Sequence, residues 1–538
     1  MKRLFLSLAL IIACAVLLGY PVYIRSWNLQ QDVSDLEAMH ISVDAVNNNT
    51  GSIIAYVRGN DEFNWLISRG YNASPMPKPG LDVEYSKDPT RAYYSITQYS
   101  TFMQDTATQY PNICQLVQFG SSVNGLPLYM MKISDNVATE EFEPELKYVS
   151  SIHGDEVVGY DMLIRLIQLL TSEYGTTQRI TDIVNNTELW ICPMFNPDGY
   201  VAHERYNADG IDLNRNYPMP TGTQHPDGNP WGAENIAMMS FSQAHSFNMS
   251  MNFHGGELVL NYPWDYTYTL APDDALLQEM SLTYTRPHTA LYNSSDFVHG
   301  ITNGAAWYVI TGSMQDWLYH FTGCIDITAE IGTNKWPSSS QLPTYWNNNK
   351  ESILRYIEFA QNGVKGIIST PNGVPLNATI SVAGNTKTIN NDPDVGDYHR
   401  LLLPGTYQIT ATVPGYESQT ESVVVPSTGF VVQNFTFGNG SDVEDSHIPA
   451  ITPCLVSNFP NPFNAETIVS YRIPKDNTAL HLAVYNLKGQ IVQTLFDGPS
   501  SQGTHSLVFD GSRLSSGIYL CRLTTAEGSQ TIKMVVRK

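Results

Sequence analysis

The strongest constraint on the fold lies in seven residues, Ser150-Ser151-Ile152-His153-Gly154-Asp155-Glu156. They close an apolar strand-like run, Tyr148 to Ile152, and precede Val157 to Leu170, whose apolar residues recur with helical spacing. A strand that turns into a helix there places His153 and Glu156 at its carboxyl end, where an imidazole and a carboxylate can converge on one ion. A second histidine, His254, follows the strand-like run Met249 to Phe253 and is itself followed by Gly255 and Gly256. Such glycines let backbone pass close to a ligand. Two histidines and a glutamate with an open fourth position are the ligand set of a catalytic zinc site.

At 538 residues the chain is long enough for three folded units, and 42% hydrophobic against 15% charged residues gives them ample core. A net charge of -22 argues against nucleic acid and anionic membrane surfaces as partners. Lys2 and Arg3 precede an apolar run from Leu4 to Leu18 and then Gly19-Tyr20-Pro21, the pattern of a secretory signal, assigned here to residues 1–25. The run is short of the about 20 apolar residues that a spanning helix needs. Without Cys14, the remaining Cys114, Cys192, Cys324, Cys454 and Cys521 are too few and too scattered for a disulfide framework, so at most one or two bridges are expected.

Residues 26–90 show weak periodicity and read as an N-terminal extension or pro-segment that carries no chemistry. Between 91 and 360, helical and strand patterns alternate: Tyr94 to Gln109 reads as a helix, and Cys114 to Phe119, Leu128 to Ile133, Leu189 to Met194, Met249 to Phe253 and Cys324 to Glu330 read as strands. This predicts an α/β domain with a mixed, mostly parallel twisted sheet flanked by helices and its site at the strands' carboxyl ends. From 363 to 438 the pattern becomes all-β, with Tyr407, Ile409, Ala411 and Val413 alternating between the turns Pro404-Gly405 and Pro414-Gly415. Residues 439–453 are an acidic, polar linker, and 454–538 form a second β-domain in which Leu480, Leu482 and Val484, then Tyr519, Cys521 and Leu523, alternate. Two small all-β sandwich domains thus follow the α/β domain.

Four stretches, SSIHGDE, NPDGYVAHERYNADGIDLNRNYP, NFHGGELVLNYPWD and MQDWLYHFTGCIDITAEIG, together resemble the zinc metallocarboxypeptidases over roughly Arg91 to Ala360. The resemblance implies one zinc ion held by His153, Glu156 and His254, with Asp212 orienting His153. It implies zinc-activated water, with Glu330 as general base, and Arg205 as the donor that holds the developing oxyanion. Asn214 and Arg215 match the pair that grips the substrate's terminal carboxylate, a task suited to arginine's planar fork. Tyr319 matches the mobile tyrosine that closes over the terminal residue, with Tyr308 as an imperfect competitor. Asp265 and Gln315 match pocket residues of the regulatory N/E-type branch, which implies release of C-terminal Lys or Arg. Glu257, after the two glycines, departs from the pattern; it either reinforces a preference for cations or faces solvent.

In that branch a transthyretin-like β-sandwich often follows the catalytic domain, and residues 363–438 resemble it. The stretch SNFPNPFNAETIVSYRIP, with VYNLKGQIV and LSSGIYLCRL, resembles the C-terminal sorting domain of proteins exported by the type IX secretion system. This implies a secreted or cell-surface protein of a Gram-negative bacterium of the Bacteroidetes kind, with that machinery and the C-termini of peptides as partners. The expected state is monomeric. Two other readings stand beside this one: a carboxypeptidase for peptidoglycan peptides, and an inactive surface-binding protein, which would have lost at least one catalytic residue.

Overall fold

The computed structural model describes residues 19–80, 93–222, 225–438 and 454–536, apart from seven single positions inside the last stretch (460, 462, 464, 465, 474, 475 and 527). The apolar run up to Leu18, read above as a secretory signal, and residues 439–453, read as a linker, lie outside the described residues.

Residues 20–75 fold as β1 (Tyr20–Arg25), α1 (Leu29–Ala38), β2 (Ser42–Asn47), β3 (Ser52–Val57), α2 (Asn60–Ser68) and β4 (Asn72–Pro75). The strands form one antiparallel sheet in the order β2-β3-β1-β4. Val22 and Ile24 of β1 are fully buried against Leu36 of α1 and Leu66 of α2. The boundary drawn at residue 25 is therefore corrected: Tyr20–Arg25 is a central strand, and a cut after it would remove part of this core. The Asn-rich stretch is the β2–β3 turn, where the Asn47 side chain accepts from Asn49 and Thr50 N–H and Gly51 takes a positive φ of 68°. The edge strand β2 carries a bulge between Val43 and Ala45, at Asp44.

The second unit is an eight-stranded sheet. Its strands are β5 (Cys114–Ser121), β6 (Pro127–Ile133), β7 (Glu145–Ser150), β8 (Glu188–Cys192), β9 (Met249–His254), β10 (Leu258–Tyr262), β11 (Ile301–Asn303) and β12 (Ile325–Ile331). Their order is β11-β10-β12-β9-β7-β8-β6-β5. The central pairs β12–β9, β9–β7 and β7–β8 are parallel, while β10–β12, β6–β8 and β5–β6 are antiparallel. Central strands β7 and β9 are buried along their whole length, as parallel strands covered on both faces must be. Helix α3 (Ile96–Gln109) starts two residues later than the pattern suggested because Ser95 and Gln98 form a capping box. Helix α4 (Val158–Glu173) packs Leu163, Leu166, Ile167 and Leu170 onto the sheet.

Residues 363–436 form two four-stranded sheets around Val364, Ile368, Ile380, Ile409, Ala411 and Phe435. Residues 454–536 form a three-stranded and a four-stranded sheet around Val469, Leu482, Val484, Cys521 and Met534. Cys114, Cys192, Cys324 and Cys521 are buried free thiols, so no bridge joins any of them.

Candidate active site

The sheet's central strands end at one lip. His153 and Glu156 occupy the turn between β7 and α4, and His254 is the last residue of β9. The turn is tight: a Cβ on Gly154 would lie 2.1 Å from the carbonyl carbon of Gly199. The Nδ1 of His153 lies 3.0 Å from Glu156 Oε1, and the Nδ1 of His254 lies 2.8 Å from Glu156 Oε2. The two Nδ1 atoms are 3.1 Å apart. On its far side His153 presents Nε2 to Asp212 Oδ1 at 3.1 Å. That contact places the ring proton on Nε2 and turns the Nδ1 lone pair inward. Two imidazole lone pairs and a carboxylate facing one point form a donor set that a zinc ion fits, and a borderline-soft dication matches their chemistry.

Glu330 lies at the end of β12, paired in register with His254. Burial, reinforced by the carboxylates of Glu156 and Asp44, pushes its carboxyl well above the ordinary range. Its Oε2 has no hydrogen-bond partner among the described residues. Arg205, Asn214, Arg215 and Asp265 line the same cavity as the histidines and Glu330. Asp212 bridges the two halves of the site, since its Oδ2 also accepts from Arg205 Nε at 3.0 Å. Burial opposes its charge, but the Arg205 guanidinium and His153 hold it well below the usual carboxylate range. Gln315 donates to Asp265 Oδ1 at 3.0 Å from behind the pocket. Burial pushes Asp265 up to about 6. Gly304 is required beside it, because a Cβ there would lie 1.9 Å from Asp265 Oδ1.

One sequence expectation is overturned. Tyr319 does not line the cavity: its hydroxyl donates to Asp273 Oδ2 at 3.0 Å, and Lys387 of the first β-sandwich sits over its ring at 4.3 Å. With Trp264 packed on its edge, it is a buried joint between the two domains. Tyr308 lines the cavity instead, with its hydroxyl on the carbonyl of Asp44 at 2.9 Å. Glu257 is half-buried, bonds the N–H of Leu258, and is not among the residues lining the cavity.

Sequence reasoning also missed the N-terminal domain's part. The bulge in β2 aims Asp44 into the site, where its Oδ1 accepts from Arg205 Nη1 at 2.5 Å and Lys335 Nζ at 2.6 Å. Lys335 reaches Glu156 Oε1 as well, at 2.9 Å. Arg215 donates to the Val43 carbonyl at 2.6 Å and pairs with Glu37 at 3.3 Å. Ser42 bonds Asp212, and Tyr56 bonds Asp155. Val259 and Trp307 of the sheet domain belong to the N-terminal domain's own apolar core. The readable signal was the lone acid inside the apolar run Ile41-Ser42-Val43-Asp44-Ala45-Val46.

A mixed sheet that brings two imidazoles and two carboxylates to one lip, beside two buried arginines, defines an α/β metallohydrolase. Sequence comparison narrows the class. A family model described as zinc carboxypeptidase matches residues 99–352, and one described as a secretion system C-terminal sorting domain matches residues 457–537. Carboxypeptidase SOL1 of Arabidopsis thaliana is 38% identical over 68% of this chain and 75% of its own length. The carboxypeptidase N catalytic chain of Homo sapiens is 35% identical over 60% of this chain and 81% of its own. Carboxypeptidase D of Mus musculus is 41% identical over 63% of this chain, which spans 26% of that longer protein. Among solved structures, carboxypeptidase A from Helicoverpa armigera shares the fold at a TM-score of 0.52 and 18% identity, covering 63% of this chain and 96% of that one. The chain belongs to the zinc carboxypeptidase family and carries a secretion-system C-terminal sorting domain.

Proposed function

We propose that the protein is a secreted carboxypeptidase that removes C-terminal Lys or Arg from peptides and proteins, made in a latent form closed by its N-terminal domain. The observation that carries this reading is the cavity itself, in which the His153–Glu156–His254 donor set, Glu330, Arg205, Arg215 and Asp265 face one another. Zinc bound there supplies a Lewis acid and lowers the pKa of water. The remaining work falls to the chain. Arg215 and Asn214 take the substrate's terminal carboxylate, which restricts cleavage to chain ends. Arg205 donates to the carbonyl oxygen as negative charge builds on it. Glu330 accepts the proton of the attacking water at its free carboxylate oxygen and passes it to the leaving amine. Asp265, held by Gln315, faces the terminal side chain and favours a cation. Tyr308, rather than Tyr319, covers the bound residue.

The same groups explain latency. Asp44 takes the Nη1 donor of Arg205, and Val43 with Glu37 takes the fork of Arg215, so the domain's edge strand stands where a substrate's last residue would lie. The C-terminal domain would direct export by the type IX machinery and place the enzyme outside the cell. The test is hydrolysis of peptides ending in Arg, Lys, Phe and Glu by chain cleaved between Pro75 and Tyr93, with and without a zinc chelator. Chelator-sensitive release of Arg and Lys alone is expected. Faster release of Phe would sink the pocket assignment while leaving the enzyme class intact.

A further inference from the structure

The seam between the sheet domain and the first β-sandwich holds a second set of acids, which shares no residue with the zinc-site cavity. Glu140, from the loop before β7, and Asp392 and Asp394, from the sandwich, each bring a carboxylate oxygen within 4.8 Å of the others. Glu145 and Glu188 line the same cavity as Glu140 and Asp392 and stand opposite each other in the β7–β8 register. Like charges at opposed strand positions repel. Lys132 meets Glu188 at 2.6 Å.

Glu145 gives the independent sign that something binds there. The residue is only 6% exposed. Its Oε1 accepts from Ser246 N–H at 3.0 Å, but its Oε2 is buried in the seam with no hydrogen-bond partner among the described residues. A buried carboxylate oxygen without a partner is costly. Burial, then Glu188, Asp392 and Glu140, drive the Glu145 carboxyl well above its ordinary range.

We propose that this seam is a calcium site in which Glu145 and Glu140 of the sheet domain and Asp392 and Asp394 of the sandwich share one ion and clamp the two domains together. The donors are carboxylate oxygens, the set a hard cation prefers. Calcium binds oxygens at about 2.3–2.6 Å, so ligand oxygens up to about 5 Å apart can share it, whereas magnesium at about 2.0–2.1 Å demands a tighter cage. The spacing of the Glu140, Asp392 and Asp394 oxygens within 4.8 Å fits the larger ion, and Glu145 lines the cavity beside Glu140 and Asp392.

The experiment uses the full zinc-loaded chain in resin-treated, calcium-free buffer, followed by calorimetric titration and thermal melting. One calcium per chain is expected to bind, and to raise Tm by about 5 °C; magnesium should do neither. Glu145→Gln and Asp392→Asn should each abolish the calcium response. Neither should melt below the parent in calcium-free buffer, because each removes repulsion, and the amide introduced by Asp392→Asn keeps an oxygen for the Asp394 N–H, whose bond Asp392 now accepts at 2.7 Å. Asp135→Asn, in a neighbouring acidic group whose Glu141 and Glu143 line the seam cavity while Asp135 does not, should leave the response intact. No response in the parent chain, a response kept by both seam variants, or one lost in Asp135→Asn would each overturn the proposal. Should a seam variant fail to fold, the parent's calcium and magnesium titrations still decide it.

Discussion

At the scale of single residues, the site separates groups that do chemistry from groups that hold them. Replacing Glu330 with Gln should lower kcat/KM by about 10²–10⁴, the usual worth of a general base. Zinc content measured by atomic absorption should stay the same, because Glu330 lies beside the donor set and is not part of it. The two tyrosines give a sharper contrast. Tyr308→Phe should raise KM, whereas Tyr319→Phe should leave kinetics alone and lower Tm, since it removes a buried bond to Asp273. Asp265 predicts a pH effect on selectivity. Burial places its pKa at about 6, so it is charged above that pH and neutral below it. The ratio of kcat/KM for Arg-ended to Phe-ended peptides should therefore fall as pH drops through about 6. Because loss of the N-terminal domain weakens the desolvation behind the shift, the break in the cleaved enzyme should lie at or below that value. Taking a ratio cancels metal loss, which affects both substrates alike.

The His153–Glu156–His254 donor set was legible in the sequence because each residue is tied to a local pattern: a strand end, a helix start, a glycine pair. Tyr319 was misread for a physical reason. Two tyrosines flank the short helix Met314–Trp317, and only packing decides which one turns to the cavity. Here Asp273 and Lys387, both distant in sequence, claim Tyr319.

At the scale of elements, the decisive piece is β2. Its weak sequence signal has a cause: five of its six residues are buried, on both faces, so the alternation that marks a half-exposed strand is lost. The helices α1 and α2 bury only two and one residues, too few to print a clear stripe. The sheet's central strands were legible because they are continuous apolar runs, and α4 because of its broad apolar face, whereas β10 and the three-residue β11 were not read as strands. The intact chain should hydrolyse Arg-ended peptides at least about 100-fold more slowly than chain cleaved between Pro75 and Tyr93, measured at equal zinc content. Asp44→Ala should recover part of that difference without cleavage, because it removes the carboxylate that holds Arg205 Nη1 while Val43 and Glu37 still hold Arg215. Equal rates for intact and cleaved chain would reject the role given to β2.

At the scale of the whole molecule, each β-domain has its own core. The C-terminal one, built around Val469, Leu482, Val484 and Met534, should be dispensable for chemistry. Removing residues 454–538 should leave the kcat/KM of the cleaved enzyme within about twofold while the protein stays with the cells and is missing from the medium. Its sequence motif was legible because its alternating apolar positions and turn residues are local features. The seam of carboxylates between domains was not, since Glu145 and Asp392 are 247 positions apart and meet only through the fold.

The N-terminal domain and the sheet domain share one patch of apolar core through Val259 and Trp307. That sharing makes activation a question of dilution. In the proposed latent form, tethering in the unbroken chain would hold the N-terminal domain at an effective concentration in the millimolar range, so that even a modest affinity would keep the cleft shut. A single cut turns the contact into an ordinary two-body equilibrium whose attraction is unchanged. In a crowded compartment the cleaved domain would stay docked and the enzyme silent. Released into a large external volume, the same cleaved pair would separate, so the enzyme would switch on where it has been carried and not where it was cut.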